Sequence, residues 1–176
     1  MSDTFQFDLE QIRRRAREHM SQGAVTGAYR ADKKQVLEVL NQALATEIVC
    51  VLRYKNHYYM ARGIRGQTCA AEFLQHAAEE QQHADLISER IVQLGGTPNL
   101  NPEGLATRSH SEYHVGENLK QMLTEDLVAE RVAIETYAAI ARWLGEGDPT
   151  SRRLMEVLLA KEEEHADDLA TLLQDF

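Results

Sequence analysis

Two nearly identical phrases recur in this chain, EEQQHAD at residues 79–85 and EEEHAD at residues 162–167. Each places a glutamate three residues before a histidine, and residues three apart lie on the same face of an α-helix. Both phrases stand in segments rich in Ala, Leu, Glu and Gln, which are good helix formers. Each phrase therefore predicts a Glu-x-x-His pair on one face of a helix.

Glycine and proline divide the rest of the chain into long helical segments. We predict four long helices, from near Asp32 to before Gly63, about Thr68 to Leu94, about Glu117 to Leu144, and Asp148-Pro149 almost to Phe176. Short links make neighbouring helices antiparallel, whereas the polar connection over roughly 97–115 can cross a bundle. The predicted fold is all-α: residues 32–176 form an antiparallel four-helix bundle with one long crossover. Residues 1–31 form an extension with a short amphipathic helix within 5–21.

Composition and charge narrow the class of protein. The formal net charge of −9 argues against a uniformly basic surface that binds nucleic acid. No secretory signal and no apolar run of about 18 residues is visible, so we expect no membrane span. Two cysteines, Cys50 and Cys69, are too few for a disulfide framework and are typical of the reducing cytoplasm.

Six polar side chains fall in the apolar stripes that should form the bundle core. They are Glu47, Glu80, His83, Glu130, Glu162 and His165. Buried unpaired carboxylates cost several kcal/mol each, and no Lys or Arg stands in the stripes at that level. The neutralising cations should therefore come from outside the chain.

The spacing of these residues repeats. Glu80 follows Glu47 by 33 positions and Glu162 follows Glu130 by 32, while Tyr54 and Tyr137 each stand seven residues after the first glutamate. A single Glu-x-x-His is common on a solvated helix face, but two matched hairpins favour a pair of metal ions. Two divalent cations would balance four carboxylates.

Over about residues 36–172 the chain resembles the ferritin-like superfamily, and most closely bacterioferritin. The resemblance rests on the stretches LNQALATEIV, EEQQHADLISERIVQLGGTPNL, MLTEDLVAE and LMEVLLAKEEEHADDLATLL. It implies that Glu80 and Glu162 bridge two iron ions in each subunit, with Glu47 and His83 completing one site and Glu130 and His165 the other. Tyr54 falls where the family keeps a tyrosine beside the centre.

The chain also departs from bacterioferritin. Gln81 stands where the haem-binding methionine would follow the bridging glutamate, so no haem is expected. We expect the family's short fifth helix to be missing, and the N-terminal extension and long crossover look more like those of Dps-type shells. The resemblance thus implies a homo-oligomer, with twelve subunits favoured over twenty-four, whose metal site lies within each subunit.

The implied function is that of a ferroxidase, which oxidises Fe(II) with O2 or H2O2 and stores the ferric product in a hollow shell. Manganese or zinc would also suit the ligands. One alternative is a Dps-like particle that protects DNA through Arg13, Arg14, Arg15 and Arg17, although the nearby Phe5, Phe7, Leu9 and Ile12 favour packing on a neighbouring subunit. Another is a rubrerythrin-like peroxidase, disfavoured because Ala133 replaces that family's additional glutamate and no paired CxxC motif occurs.

Several further side chains receive weaker interpretations. Asp126 is a candidate acceptor for His83, with a solvated Asp as the alternative. Tyr54 and Tyr137 are candidates to hydrogen-bond a ligand carboxylate or to supply an electron, with an ordinary core tyrosine as the alternative. His110 and His114 read as solvated loop residues rather than a pore site, and the two cysteines as small buried side chains. His57 and His76 have no partner that the sequence identifies.

Overall fold

The computed structural model describes residues 6–176, apart from the side chain of Arg65. Within these residues the regular structure is entirely helical. The helices are α1 (Leu9–Arg15), α2 (Lys33–Met60), α3 (Ile64–Gln93), α4 (Leu105–Arg108), α5 (Leu119–Leu144) and α6 (Pro149–Leu173), with a 3₁₀ turn at Met20–Gln22. The predicted bundle of four long helices with one crossover is confirmed.

Side-chain caps set the starts of three long helices. Asp32 accepts hydrogen bonds from the backbone N–H groups of Lys34 and Gln35, and Asn118 and Asp148 cap α5 and α6 in the same manner. The predicted start of α3 at Thr68 is wrong, because the helix begins at Ile64. Gly63, with φ of +83°, turns the chain in a conformation that residues with a side chain rarely adopt, so α3 follows α2 almost at once.

The four long helices form two hairpins, α2 with α3 and α5 with α6. Their apolar residues gather in two clusters. One contains Leu40, Leu44, Ile87, Ile91, Tyr137, Leu144, Met155 and Leu158, and the other Cys50, Tyr54, Cys69, Phe73, Met122, Leu123 and Leu169. On each helix the predicted metal ligands stand between the two clusters, so apolar side chains enclose them from both ends of the bundle.

The crossover between α3 and α5 is fastened along α2. Asn41 accepts a 2.7 Å hydrogen bond from the backbone of Asn99, and Thr46 accepts one of 2.9 Å from the backbone of His110. The short helix α4, which the sequence analysis did not predict, also packs on α2. His110 is half-buried against Thr46, so its interpretation as a solvated residue is wrong, whereas His114 is exposed as expected.

The extension before the bundle has two parts. Its helix α1 is shorter than the predicted 5–21 and contains no buried residue, and Phe7, Leu9 and Ile12 are exposed. Phe5 lies outside the described residues. Further along, the Tyr29 hydroxyl donates a 3.0 Å hydrogen bond to Asp148, which joins the extension to the start of α6.

By length and composition α2 alone among the described helices could cross a membrane, with a mean hydropathy of 1.4 over its most apolar 18 residues. However, 56% of that window is buried inside the bundle. A core helix that contacts other helices on most sides needs the same apolar composition.

Candidate metal centre

All four long helices contribute to one buried polar cluster. It contains Glu47 from α2, Glu80 and His83 from α3, Glu130 from α5, and Glu162 and His165 from α6, and none of the six is more than 6% exposed. The structure therefore brings together every ligand that the sequence predicted. They meet because each occupies the same depth in the core-facing stripe of its helix.

Within the cluster the side chains form two overlapping groups. The ligand atoms of Glu47, Glu80, His83 and Glu162 lie within 4.8 Å of one another, and so do those of Glu80, Glu130, Glu162 and His165. Glu80 and Glu162 belong to both groups. A pair of cations placed here would share these two carboxylates, and each would have one further carboxylate and one imidazole.

The imidazole Nδ1 atoms are directed into the cluster. Nδ1 of His83 lies 3.0 Å from Glu162, 3.3 Å from Glu80 and 3.5 Å from Glu47. Nδ1 of His165 lies 3.3 Å from Glu162, 3.4 Å from Glu80 and 3.9 Å from Glu130. Each histidine thus approaches both shared carboxylates and only one of the outer two.

Several buried atoms of the cluster lack hydrogen-bond partners. They are Nδ1 of both histidines, Oε1 of Glu80, Oε2 of Glu130 and both carboxylate oxygens of Glu162. Buried polar atoms are normally paired, so a concentration of unpaired ligand atoms in one place indicates a missing partner. Carboxylate oxygens with imidazole nitrogens form a donor set that suits Fe, Mn or Zn, and these residues fit a dinuclear metal site.

Two tyrosines connect the hairpins through the outer carboxylates. The hydroxyl of Tyr54 in α2 donates to Oε1 of Glu130 in α5, and that of Tyr137 in α5 donates to Oε1 of Glu47 in α2. Both tyrosines are fully buried. The predicted bonds from tyrosine to ligand carboxylates are present, and each tyrosine bonds the glutamate of the opposite hairpin.

Glu79 is a functional candidate that was not predicted from the sequence. Its Oε2 lies 2.6 Å from Nε2 of His165, on the side of the ring away from the cluster. A carboxylate in this position orients a ligand histidine and directs its other nitrogen at the metal. The residue stands in the first quoted phrase, but a helical stripe places Glu80 inward, and nothing local indicates that Glu79 reaches α6.

The predicted role of Asp126 is wrong. Its Oδ1 accepts a 2.9 Å bond from Arg53 Nε and its Oδ2 lies 2.8 Å from Nδ1 of His57, so its two oxygens face these side chains instead of His83. Arg53 is 1% exposed and also bonds Ser111 and the Glu112 carbonyl. A cation is therefore present in the core, but it neutralises Asp126.

Protonation compensates for the crowding of carboxylates. Burial, followed by repulsion from Glu80, raises the pKa of Glu47 to about 8. Burial and the neighbouring Glu80 and Glu162 raise the pKa of Glu130 well above its ordinary value. Without a metal ion, burial and mutual repulsion therefore favour the protonated form of both outer carboxyl groups.

The pKa values of the two histidines in the cluster are also raised. Burial lowers the pKa of His165, but the negative charge of the Glu162 and Glu80 carboxylates close to its Nδ1 outweighs burial and raises the value to about 11. In the same way Glu162, Glu47 and Glu80 overcome burial and raise the pKa of His83. Protons on these carboxyl and imidazole groups thus offset part of the negative charge of the cluster when no metal is bound.

His76 lies beside the cluster without belonging to its two main groups. Its ring stacks on that of His165 with centroids 4.0 Å apart, and its Nδ1 lies 3.2 Å from the Tyr54 hydroxyl. Burial and the nearby His165 lower its pKa to about 3, so the ring is neutral. The partners of His57 and His76 come from other helices, which explains why sequence alone did not identify them.

The two cysteines stay outside the cluster. Both are buried and unpaired in the same apolar layer of the core, as expected. Sγ of Cys50 lies 3.6 Å from an Arg53 nitrogen. Their surroundings are those of small buried side chains.

Comparison with known proteins identifies relatives of similar length. The ferritin-like domain family matches residues 37–176. Bacterioferritin from Brucella melitensis is 34% identical over 140 residues, which are 79% of this chain and 83% of the relative. A nutrient stress-induced DNA-binding protein from Synechococcus is 30% identical over 152 residues, 85% and 86% of the two chains. A dodecameric thioferritin from Bacteroides fragilis superposes with a TM-score of 0.79 at 32% identity and covers 83% of this chain and 88% of its own.

Proposed function

The chain belongs to the ferritin-like domain family, and from this premise we propose that it is an iron-storage protein with ferroxidase activity. In this proposal each subunit oxidises two Fe(II) ions to Fe(III) with O2 or H2O2 at the buried cluster. The ferric product is then stored inside a hollow homo-oligomeric shell.

The observation that carries the proposal is the overlap of two four-residue ligand groups through Glu80 and Glu162. One ion would be held by Glu47 and His83 together with the shared pair, and the other by Glu130 and His165 with the same pair. Fe(II) fits because carboxylate oxygen and imidazole nitrogen are ligands that it accepts. Zinc and manganese would occupy the same residues.

Two Fe(II) ions side by side supply the two electrons that reduce O2 to H2O2, or H2O2 to water. The protein supplies the environment for that transfer. Apolar layers on both ends exclude water, and the four carboxylates stabilise the charge that increases on oxidation. Tyr54 and Tyr137 hold the outer carboxylates of the opposite hairpins in place, and Glu79 orients His165.

Storage requires an assembly, because a single bundle encloses no space for mineral. The thioferritin relative is dodecameric by name, and we infer a twelve-subunit shell for this chain in preference to one of twenty-four. The exposed Phe7, Leu9 and Ile12 of the extension offer apolar surface for contacts between subunits.

Aerobic titration of the full-length protein with Fe(II) tests the proposal. We expect a fast absorbance change that saturates at about two ions per chain, followed by slower uptake with rising light scattering. Glu80→Ala and His165→Ala should each slow the fast phase by at least about 100-fold, because even residues that only orient ligands change activity 10- to 100-fold.

Glu89→Ala and Glu163→Ala are matched controls, since they remove exposed carboxylates from the same two helices. Unchanged fast oxidation in both ligand variants would show that the cluster is not the site of Fe(II) oxidation. Saturation at two ions per chain without scattering would leave a ferroxidase and remove the storage function. Circular dichroism should show an intact helical fold in all four variants.

DNA protection is the second candidate function, favoured by the Synechococcus relative, which is named as DNA-binding. On α1, Arg13 and Arg14 are exposed, and assembly would multiply these cations around a shell. A gel-shift of the assembled protein with and without residues 1–20 separates the two functions. Identical mobility of DNA with both forms would remove DNA binding.

A further inference from the structure

We propose that Glu72, His76 and Asp168 form a third metal site, distinct from the dinuclear cluster, for one divalent transition-metal ion. The three residues lie on α3 and α6, and their ligand atoms are within 4.8 Å of one another. None of them belongs to the ligand set inferred above.

The hydrogen bonds around His76 leave one of its nitrogens available for a metal ion. Tyr54 donates its only hydroxyl proton to Glu130, so its oxygen acts as the acceptor toward Nδ1 of His76, 3.2 Å away. Nδ1 therefore carries the ring proton and Nε2 the lone pair. A neutral imidazole with this tautomer is a metal ligand through Nε2.

That lone pair has no partner in the protein. His76 is fully buried, and Nε2 makes no hydrogen bond, although Oε1 of Glu72 lies 3.2 Å and Oδ2 of Asp168 3.8 Å from it. Three atoms that all carry lone pairs repel one another at these distances. A cation among them would turn the repulsion into coordination.

Charge and access both suit a metal ion. Two carboxylates and one neutral imidazole match a divalent ion such as Fe(II), Mn(II) or Zn(II). The side chains of Glu72 and Asp168 are 26% and 43% exposed, whereas the dinuclear ligands are enclosed. The third site thus lies on the solvent side of the main cluster, with the His76 ring stacked on His165 between them.

Anomalous diffraction from crystals of the full-length assembled protein soaked in Zn(II) tests the site. We expect two peaks in the dinuclear cluster and a third bonded to Nε2 of His76 at about 2.0–2.1 Å. Glu72→Gln combined with Asp168→Asn should remove the third peak and lower the zinc stoichiometry in solution by one ion per chain. These substitutions keep size and shape and leave His76 with its bond to Tyr54.

The control is Glu89→Gln combined with Asp167→Asn, which removes the same charge from exposed positions of the same helices and should keep all three peaks. Absence of a peak at His76 in the wild type would overturn the third site. So would a peak that survives the Glu72/Asp168 change or disappears in the control. Peaks missing only from the dinuclear cluster would contradict the proposed function and leave the third site standing.

Discussion

Two groups of buried charges lie one or two helical turns apart in this bundle, and they are neutralised differently. Asp126 is fully buried beside Arg53, and the Arg53 nitrogens and the Asp126 oxygens all have protein partners. The cluster around Glu80 and Glu162 contains no Lys or Arg, and several of its atoms have no partner. The carboxylates of both groups are equally buried, with at most 1% of each residue exposed.

This difference in charge compensation distinguishes a buried ion pair that stabilises the fold from a candidate binding site. A carboxylate paired with a buried arginine is satisfied by the chain itself, and this pair also fastens the crossover onto α2. The cluster around Glu80 and Glu162 has no such cation of its own. Its negative charge can be offset only by protons or metal ions that come from outside the chain. Unpaired buried donor atoms, rather than burial or charge alone, therefore distinguish the candidate site from the Arg53–Asp126 pair.

The largest expected effect is a steep pH dependence of metal binding. Glu47, with a pKa of about 8, and His165, with a pKa of about 11, both hold protons at neutral pH, and the pKa values of Glu130 and His83 are raised in the same direction. Metal ligands must be deprotonated, so two ions displace at least about two protons, and affinity should rise at least about 10-fold per ion per pH unit between pH 6 and 7.5. Calorimetry with Zn(II) in buffers of different ionisation enthalpy counts the protons released.

The free energy of unfolding of the metal-free protein should also depend on pH, because the same groups have raised pKa values in the folded state. Between the ordinary carboxyl pKa and about 8, the folded state holds a proton on Glu47 that the unfolded state has lost, so the free energy of unfolding falls as pH rises through this window. The raised pKa of His165 acts in the same direction from about 6.5 upward. Proton release near zero, with stability independent of pH, would contradict the description of the centre.

A smaller effect, on the free energy of unfolding, is expected from breaking the buried Arg53–Asp126 pair. Arg53→Met leaves Asp126 buried without its cation, and breaking one side of a buried ion pair costs about 3–5 kcal/mol of unfolding free energy. Chemical denaturation measures this loss, and Zn(II) stoichiometry should stay unchanged. Adding Asp126→Leu to Arg53→Met should recover part of the stability, because the unpaired carboxylate is then removed. A double variant no more stable than Arg53→Met would show that the loss does not come from the unpaired Asp126.

The smallest of the expected effects concerns the orientation of His165. Glu79→Gln keeps the shape of the side chain but removes the charge that accepts from His165 Nε2. Metal affinity should fall about 10- to 100-fold, measured as the zinc dissociation constant of the assembled protein. Glu89→Gln on the same helix is the control, and equal affinities in the two variants would show that Glu79 does not support the ligand.

The fold could be predicted because its signals are local. Caps at Asp32 and Asp148, glycines at the helix ends and a helical period of apolar residues are each read within a few positions of the sequence. The same period placed Glu47, Glu80, Glu130 and Glu162 in the core. Gly63 allowed α3 to begin earlier than predicted, because a three-residue link suffices when one residue adopts a positive φ.

The partners of individual side chains were harder to predict. Asp126, His57, His76 and Glu79 all bond residues far away in the sequence, across from one helix to another. Which of two neighbouring acids reaches a given histidine depends on how the helices are rotated against each other. That rotation results from packing over the whole bundle and is not encoded in any one segment.

The sequence alone determined that this protein is a four-helix bundle with four carboxylates and two imidazoles at the same depth in the core. It could do so because the helical period of apolar residues, which can be read within one segment, fixes which side chains point inward. Tertiary structure alone decided that Arg53 neutralises Asp126 and not the cluster, and that His76 presents a free nitrogen to Glu72 and Asp168. Charge compensation depends on distances of a few ångströms between helices, and only the packed bundle sets those distances.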